Sequence, residues 1–270
     1  MSGVAEQFLK AVDRYIRPGT HPVAVCFLKD GDDAPAGYAY PAREFGERIA
    51  LCQAVFLARR LGSRLVVTAD DQACPAGQLV MGYAEPPEWW LDGYFDLEAR
   101  RTATLEAGAT MARSVFRFEP GQYAGVAIGP LEDAGFDPDV VLVYCNTLQA
   151  TMLGMGARHK DGEPLRPMVS ARFACADAIV QTALTNRCQL ALPCGGERRL
   201  AGAQSDEVIF AVPFGSLADV VVGLDSVFSQ TGTLHPSPVG PEGWLGLQTQ
   251  LPGKYDKLSR LVGLAPDGED

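Results

Sequence analysis

Histidine is scarce in this chain, with three in 270 residues, at positions 21, 159 and 235. No pair of them has the i, i+4 spacing of a zinc-binding helix, and no Gly-x-Ser-x-Gly elbow occurs. A classical hydrolase site therefore has little to draw on. A phosphate-cradling P-loop and the Gly-x-Gly-x-x-Gly run of dinucleotide folds are missing too. Positive charge is short: Lys+Arg 23 against Asp+Glu 33 leaves a formal charge of −10. A surface of that sign repels phosphate backbones and anionic lipid, so the expectation is no nucleic-acid partner and no membrane. No window reaches the roughly 18 uninterrupted apolar residues of a membrane span. The amphipathic start lacks the apolar core of a signal peptide, so the expected address is the cytoplasm.

With 47% hydrophobic and 21% charged residues, the chain can bury a sizeable core. Periodicity predicts helices over 4–17, 42–61, 97–114, 147–157 and 172–185, and β-branched apolar runs predict strands at 21–29, 64–68, 126–131, 139–145, 189–193 and 207–213. Pro75 after Cys74 suggests that a further helix opens there. The expected fold is α/β: a mixed sheet with flanking helices, built as two pseudo-repeated helix–strand halves in one compact unit over 1–270. Half one covers about 20–84, a linker or lid about 85–120, half two about 121–225, and an irregular Gly/Pro-rich excursion about 226–270. A homodimer is compatible with an acidic chain carrying Met and Trp patches.

The halves are suggested by a weak internal echo. Cys52 leads a helical run into RLVVT and ends at Cys74-Pro-Ala-Gly77, and Cys175 leads a helical run into QLALP and ends at Cys194-Gly195-Gly196. A strand with its own cysteine, Cys26 or Cys145, lies upstream of each. A helix of about 11 residues advances ~16 Å, and a returning strand of about 5 residues covers a similar ~16 Å. The second cysteine of each unit thus returns near the first. If the units face one another across a two-fold axis, Cys52, Cys74, Cys175 and Cys194 converge. Four thiolates form a soft ligand set suited to an iron–sulfur cluster or zinc. Chance similarity is the competing account, because the spacing matches no compact Cys-x-x-Cys pattern and free cysteine commonly packs in cores. Plain packing is the stronger expectation for Cys26, Cys145 and Cys188.

Other features divide between chemistry and packing. Gly195-Gly196-Glu197-Arg198-Arg199 offers backbone N–H groups and guanidinium forks to an anion, or forms a charged turn. Asp206-Glu207 reads as a solvated turn before a strand. Trp89-Trp90 has the shape to stack on a planar ligand, though aromatics beside a Pro-Pro pair more often anchor a loop. The Met set (Met152, Met155, Met168) reads as core filler.

The stretches CQAVFLARRLGSRLVVTADDQACPAGQLVMG (52–82) and FACADAIVQTALTNRCQLALPCGGERRLAGAQSDEVIFAVP (173–213) resemble the bacterial and archaeal domain-of-unknown-function family 169. RPGTHPVAVCFLK (17–29) and VLVYCNTLQ (142–149) are similar to it as well, and the likeness covers most of residues 5–225. Its marks are Cys52-Gln53, Cys74 with Gly77, Asn146 with Gln149, and Pro193-Cys194-x-Gly196 followed by Arg198 and Asp206-Glu207. The family's usual Gly-Asp-Arg appears here as Gly196-Glu197-Arg198, with a longer carboxylate. The resemblance implies a unified fold and a shared cysteine-bearing site, and no reaction.

Together these readings predict a protein that binds a four-iron, four-sulfide cluster through Cys52, Cys74, Cys194 and Cys175, with zinc as the alternative metal. Gly77, Gly195 and Gly196 would admit the cofactor closely. With three ligands, one iron would remain open to a small anionic molecule held by Arg198, with Asn146 and Gln149 as polar contacts. The competing functions are a metal-free small-molecule module and a thiol–disulfide redox protein.

Overall fold

Alternating side-chain direction organises the molecule from its central strands outward. In the computed structural model, residues 3–231 and 256–262 are described. The strands are β1 (Val23–Leu28), β2 (Leu65–Thr68), β3 (Gly125–Pro130), β4 (Val140–Cys145), β5 (Gln189–Ala191) and β6 (Val208–Pro213). They form one sheet in the order β2-β3-β1-β4-β6-β5. On β4, Val140, Leu142 and Tyr144 join one hydrophobic core, and Val141, Val143 and Cys145 join the core on the opposite face. Burial on both faces is why these strands read as continuous apolar runs.

The helices are α1 (Gly3–Ala11), α2 (Pro41–Glu44), α3 (Leu51–Leu61), α4 (Pro75–Val80), α5 (Glu88–Leu91), α6 (Tyr94–Glu98), α7 (Leu105–Ser114), α8 (Thr147–Ala157), α9 (Gln181–Thr185), α10 (Gly195–Leu200), α11 (Leu217–Thr231) and α12 (Asp256–Leu261). Wide π-type turns extend α1 through Ile16 and lead from Ala176 into α9. α3, α7 and the 173–180 turn contribute to the first core, and α1, α8 and α11 to the second. The sheet is therefore flanked by helices on both faces, as the α/β reading expects. The pairings between the named strands are all antiparallel, and parallel pairing among the described residues is limited to isolated bridges at Ala39–Leu65 and Ile49–Gln72.

Read from the centre, the sheet runs β1, β3, β2 on one side and β4, β6, β5 on the other. In each half the third strand inserts between the first and second. β1 and β4 meet antiparallel at the middle, with Val23 opposite Leu142 and Val25 opposite Val140. That arrangement is a two-fold relation in which α3 corresponds to the 176–185 turn and helix, and α4 to α10. β3 belongs to the first half, so the 85–120 segment lies inside that half rather than between the halves, and the second half begins after β3 rather than at about 121.

Some expected elements break. The helix expected over 42–61 splits, because Gly46 takes a positive φ of 71° and Ile49 then pairs with Gln72 as an extended residue. The helix expected over 97–114 splits at residues 99–104, where Thr104 caps α7 by accepting from the Ala107 amide at 3.2 Å. α11 occupies 217–231, a stretch given no element from sequence, and runs past the expected start of the excursion at 226. The rest of that excursion, with His235, lies largely outside the described residues. The chain divides into a unit Met1–Leu234 and a second unit His235–Asp270, of which α12 is described.

One buried charge joins three elements near the site. Arg59, in the last turn of α3 and 1% exposed, donates to both oxygens of Glu207 at 2.8 and 3.2 Å. Its guanidinium stacks on the Tyr144 ring, 4.0 Å from the centroid. These bonds hold the Glu207 carboxyl below its ordinary value against the opposing effect of burial. Glu207 is thus a structural anchor rather than a solvated turn residue. Replacing Arg59 by Ala leaves Glu207 with the Gln204 amide at 2.8 Å and Arg60 at 3.5 Å but removes two charge-assisted bonds and the packing on Tyr144. We therefore expect Arg59→Ala to lower stability by about 1–3 kcal/mol in denaturant melts. A loss under about 1 kcal/mol would show that the pair contributes like an exposed one.

Candidate functional site

The two-fold relation places four cysteines at corresponding points. Cys52 lies in the first turn of α3 and Cys175 immediately before the Ala176–Val180 turn. Cys74 immediately precedes α4, and Cys194 immediately precedes α10. All four, each half-buried, line one cavity of about 70 Å³, with Glu197, Tyr144, Gly77 and Gly196 also in its wall. The convergence inferred from the echo is present. All four are free thiols, as are Cys26, Cys145 and Cys188.

Local hydrogen bonds fix this geometry. The buried Gln72 side chain accepts from the amides of Leu51 at 3.2 Å and Cys74 at 3.0 Å, tying the start of α3 to the cysteine before α4. Gly77 is required by that clamp, since a Cβ there would lie 2.6 Å from the Gln72 amide nitrogen. Gln53 reaches back to the Ala50 amide at 2.8 Å and closes the first turn of α3. Cys194 Sγ accepts from the Glu197 amide at 3.5 Å, a sulfur N-cap.

Glu197 is the unexpected member. It is 2% exposed; its Oε1 accepts from the Tyr144 hydroxyl, and its Oε2 has no hydrogen-bond partner. Burial raises its carboxyl above the ordinary value, and the Tyr144 bond and the Arg59 charge only partly oppose that. Tyr144 is in turn pushed well up by burial and by the Glu197 charge. A relay Glu207–Arg59–Tyr144–Glu197 therefore runs from the protein surface to the cavity.

The thiols feel one another. Burial pushes Cys52 up to about 12, with the charges of Glu197, Cys194 and Cys74 adding to it. Cys175 is raised further, by burial first and then by the other three cysteines and Glu197. As protonated thiols they are poor nucleophiles. Among the described residues, no group of three or more His, Cys, Asp or Glu side chains stands arranged to hold a metal ion.

Several residues singled out from sequence lie elsewhere. Arg198 does not line the cavity; its guanidinium donates to the Gln204 carbonyl at 2.6 Å on the exposed side of α10. Asn146 and Gln149 form the capping box of α8, and Gln149 also donates to the carbonyls of Ile16 and Arg17 at 2.9 Å. They join α8 to the N-terminal segment and do not reach the cavity. Gly195 is outside it, with open space where a Cβ would go. Cys145 is core, and burial pushes Cys26, Cys145 and Cys188 each up to about 12.

Helical spacing alone did not select Glu197. Glu197 and Arg198, three and four residues after Cys194, both lie within about 60° of its direction, so spacing left either one a candidate for the face beside the thiol. Tyr144 follows from strand alternation with Val140 and Leu142. Gln72 gave no such signal, because its role depends on a turn joining two segments.

In chelator-treated protein at neutral pH, Glu197→Gln removes a buried charge and keeps an acceptor for Tyr144. We expect the thermal midpoint to rise, with a stability gain on the order of 1–3 kcal/mol. A carboxyl whose pKa is raised by folding destabilises above its folded value, and this relaxes as pH falls toward the ordinary 4.5. The gain should therefore shrink in acid. A lowered midpoint at neutral pH would show that the carboxylate is satisfied.

Residues 11–223 match the family described as "Uncharacterised ArCR", the domain-of-unknown-function family 169. An uncharacterized protein of Methanocaldococcus jannaschii is 27% identical over 205 residues, covering 75% of this chain and 86% of that protein. No solved structure matches the chain. By the extent of the profile match, the chain belongs to the domain-of-unknown-function family 169.

Proposed function

We propose that the chain holds a soft metal centre ligated by Cys52, Cys74, Cys175 and Cys194, and that an iron–sulfur cluster is the form its donors suit best. One observation carries this reading: half-buried thiols from both halves, together with a buried carboxylate one of whose oxygens lacks a partner, line a single cavity. Left alone, that grouping is unfavourable. The charges of neighbouring thiolates add to the burial that raises Cys52 and Cys175, and the Glu197 Oε2 has no protein donor. A cation among them reverses the sign of those charge interactions.

Sulfur donors select soft metals. One tetrahedral ion with metal–sulfur bonds of ~2.3 Å would draw the sulfurs to within about 3.8 Å of one another. A lining of four sulfur donors with no histidine among them is the ligand set of an iron–sulfur cluster, and that is the centre proposed. Glu197 Oε2 supplies an oxygen donor or proton acceptor beside it, fixed from behind by Tyr144. With a carboxylate there and Arg198 directed elsewhere, the proposal does not extend to an anionic small molecule at an open iron.

The competing functions find less support. A redox dithiol works through an accessible, low-pKa thiolate, and burial raises Cys52 and Cys175 instead. A cavity of about 70 Å³ is also well below the ~300 Å³ at which small-molecule pockets begin.

Protein purified without oxygen should be brown, with iron and acid-labile sulfide in matching amounts. Cys→Ser at 52, 74, 175 or 194 should each cut the iron content sharply, and Cys188→Ser should leave it unchanged. Because the thiols must lose protons to bind, metal affinity should rise between about pH 6 and 8. A colourless protein with zinc would replace the cluster with the alternative metal. A protein free of metal after anaerobic reconstitution would overturn the reading.

A further inference from the structure

Beside the thiol cavity lies a second, larger cavity of about 430 Å³, between α4 and the segment carrying α5 and α6. Its wall is aromatic: Trp89, Trp90, Phe95 and Phe173 contribute rings, and Glu85 and Gln78 supply its polar groups. The Trp pair divides between the two roles that sequence left open. Trp90, 3% exposed, anchors the segment to the core, and Trp89 stays 46% exposed in the pocket wall. Trp89 also meets Phe95 edge-on, with centroids 5.9 Å apart and planes at 69°.

The rings are held from behind. Arg172 stacks over Phe173 at 4.4 Å, Phe95 at 5.1 Å and Trp90 at 5.8 Å. Its charge is balanced inside the protein by Asp96, at 2.7 Å, in a pair that is almost wholly buried. The guanidinium is therefore committed to ordering the ring walls and does not line the pocket. No Lys, Arg or His lines it, and Glu85 does. An anion has nothing to pair with there, whereas flat apolar surface is plentiful.

Ala76 and Phe173 line this pocket and the thiol cavity alike. Ala76 is two residues after Cys74, and Phe173 is two residues before Cys175. The two spaces are separated by a single layer of side chains. The volume lies within the ~300–1,000 Å³ of small-molecule sites.

We propose that this pocket binds a neutral, planar aromatic small molecule, stacked on Trp89 with its edge toward Phe95, and with Phe173 between it and the thiols. The binding stands on the pocket's own lining. That the ligand serves the thiol centre rests on the reading given under Proposed function.

The test is calorimetric titration of the whole chain with 1-naphthol, with the anion 1-naphthoate and the saturated, non-planar decahydro-1-naphthol as comparisons. We expect one saturable site for 1-naphthol and binding at least about tenfold weaker for the other two, in line with the value of an aromatic stacking partner. Trp89→Ala, at an exposed side chain that the fold does not need, should weaken 1-naphthol by about tenfold with an unchanged circular dichroism spectrum. Ala84→Trp, which fills the pocket from its exposed rim, should abolish binding. No saturable site, equal binding of the saturated alcohol, or unaltered affinity in both variants would overturn the proposal. The titrations are run on metal-free and on reconstituted protein. Binding in metal-free protein that never takes up metal would leave the pocket standing while the metal centre falls. Metal uptake without naphthol binding would do the reverse.

Discussion

The antiparallel pairing of β1 with β4 is the constraint from which the rest of the molecule follows. It is short, running from Val23 opposite Leu142 to Val25 opposite Val140, yet it sets two similar halves about one axis. Each half carries a cysteine at the start of one helix and another just before the next. Pairing at the centre of the sheet brings all four to the same face and the same cavity. Without that pairing, each half would present two cysteines and an incomplete wall.

The cavity so formed stabilises nothing by itself. Cys52 and Cys175 raised by burial and by their neighbours, and a buried carboxylate with one oxygen unpartnered, oppose folding rather than drive it. The framework that offsets this cost is built around them. Arg59 is clamped by Glu207 and stacked on Tyr144, Tyr144 bonds Glu197, and Gln72 ties α3 to the Cys74 turn. The Arg172–Asp96 pair has the same character in the neighbouring pocket, where it orders rings instead of thiols.

The six strands could be read from the chain because burial on both faces made them continuous apolar runs. The thiol convergence could be read because helix and strand lengths alone return each chain segment to its start. What local pattern did not show was pairing direction and side-chain reach. Antiparallel pairing throughout the named strands depends on connections such as the 85–120 segment, whose length does not declare its path. The breaks at Gly46 and Thr104 hang on a positive φ and a cap inside otherwise helical spacing. Arg198 drew attention as a free cation beside two glycines. One step round α10, Glu197 faces the thiols instead, and spacing from Cys194 could not choose between the two. Glu207 looked like a solvated acid because its partner, Arg59, is distant in sequence.

The central claim is that thiols from both halves share one metal centre. Iron K-edge X-ray absorption on anaerobically reconstituted protein tests it most directly. The account predicts a first shell dominated by sulfur together with a short iron–iron vector, both lost when Cys52 from one half or Cys175 from the other becomes serine. A shell of nitrogen and oxygen alone, or a sulfur shell that survives loss of either half's cysteine, would contradict it.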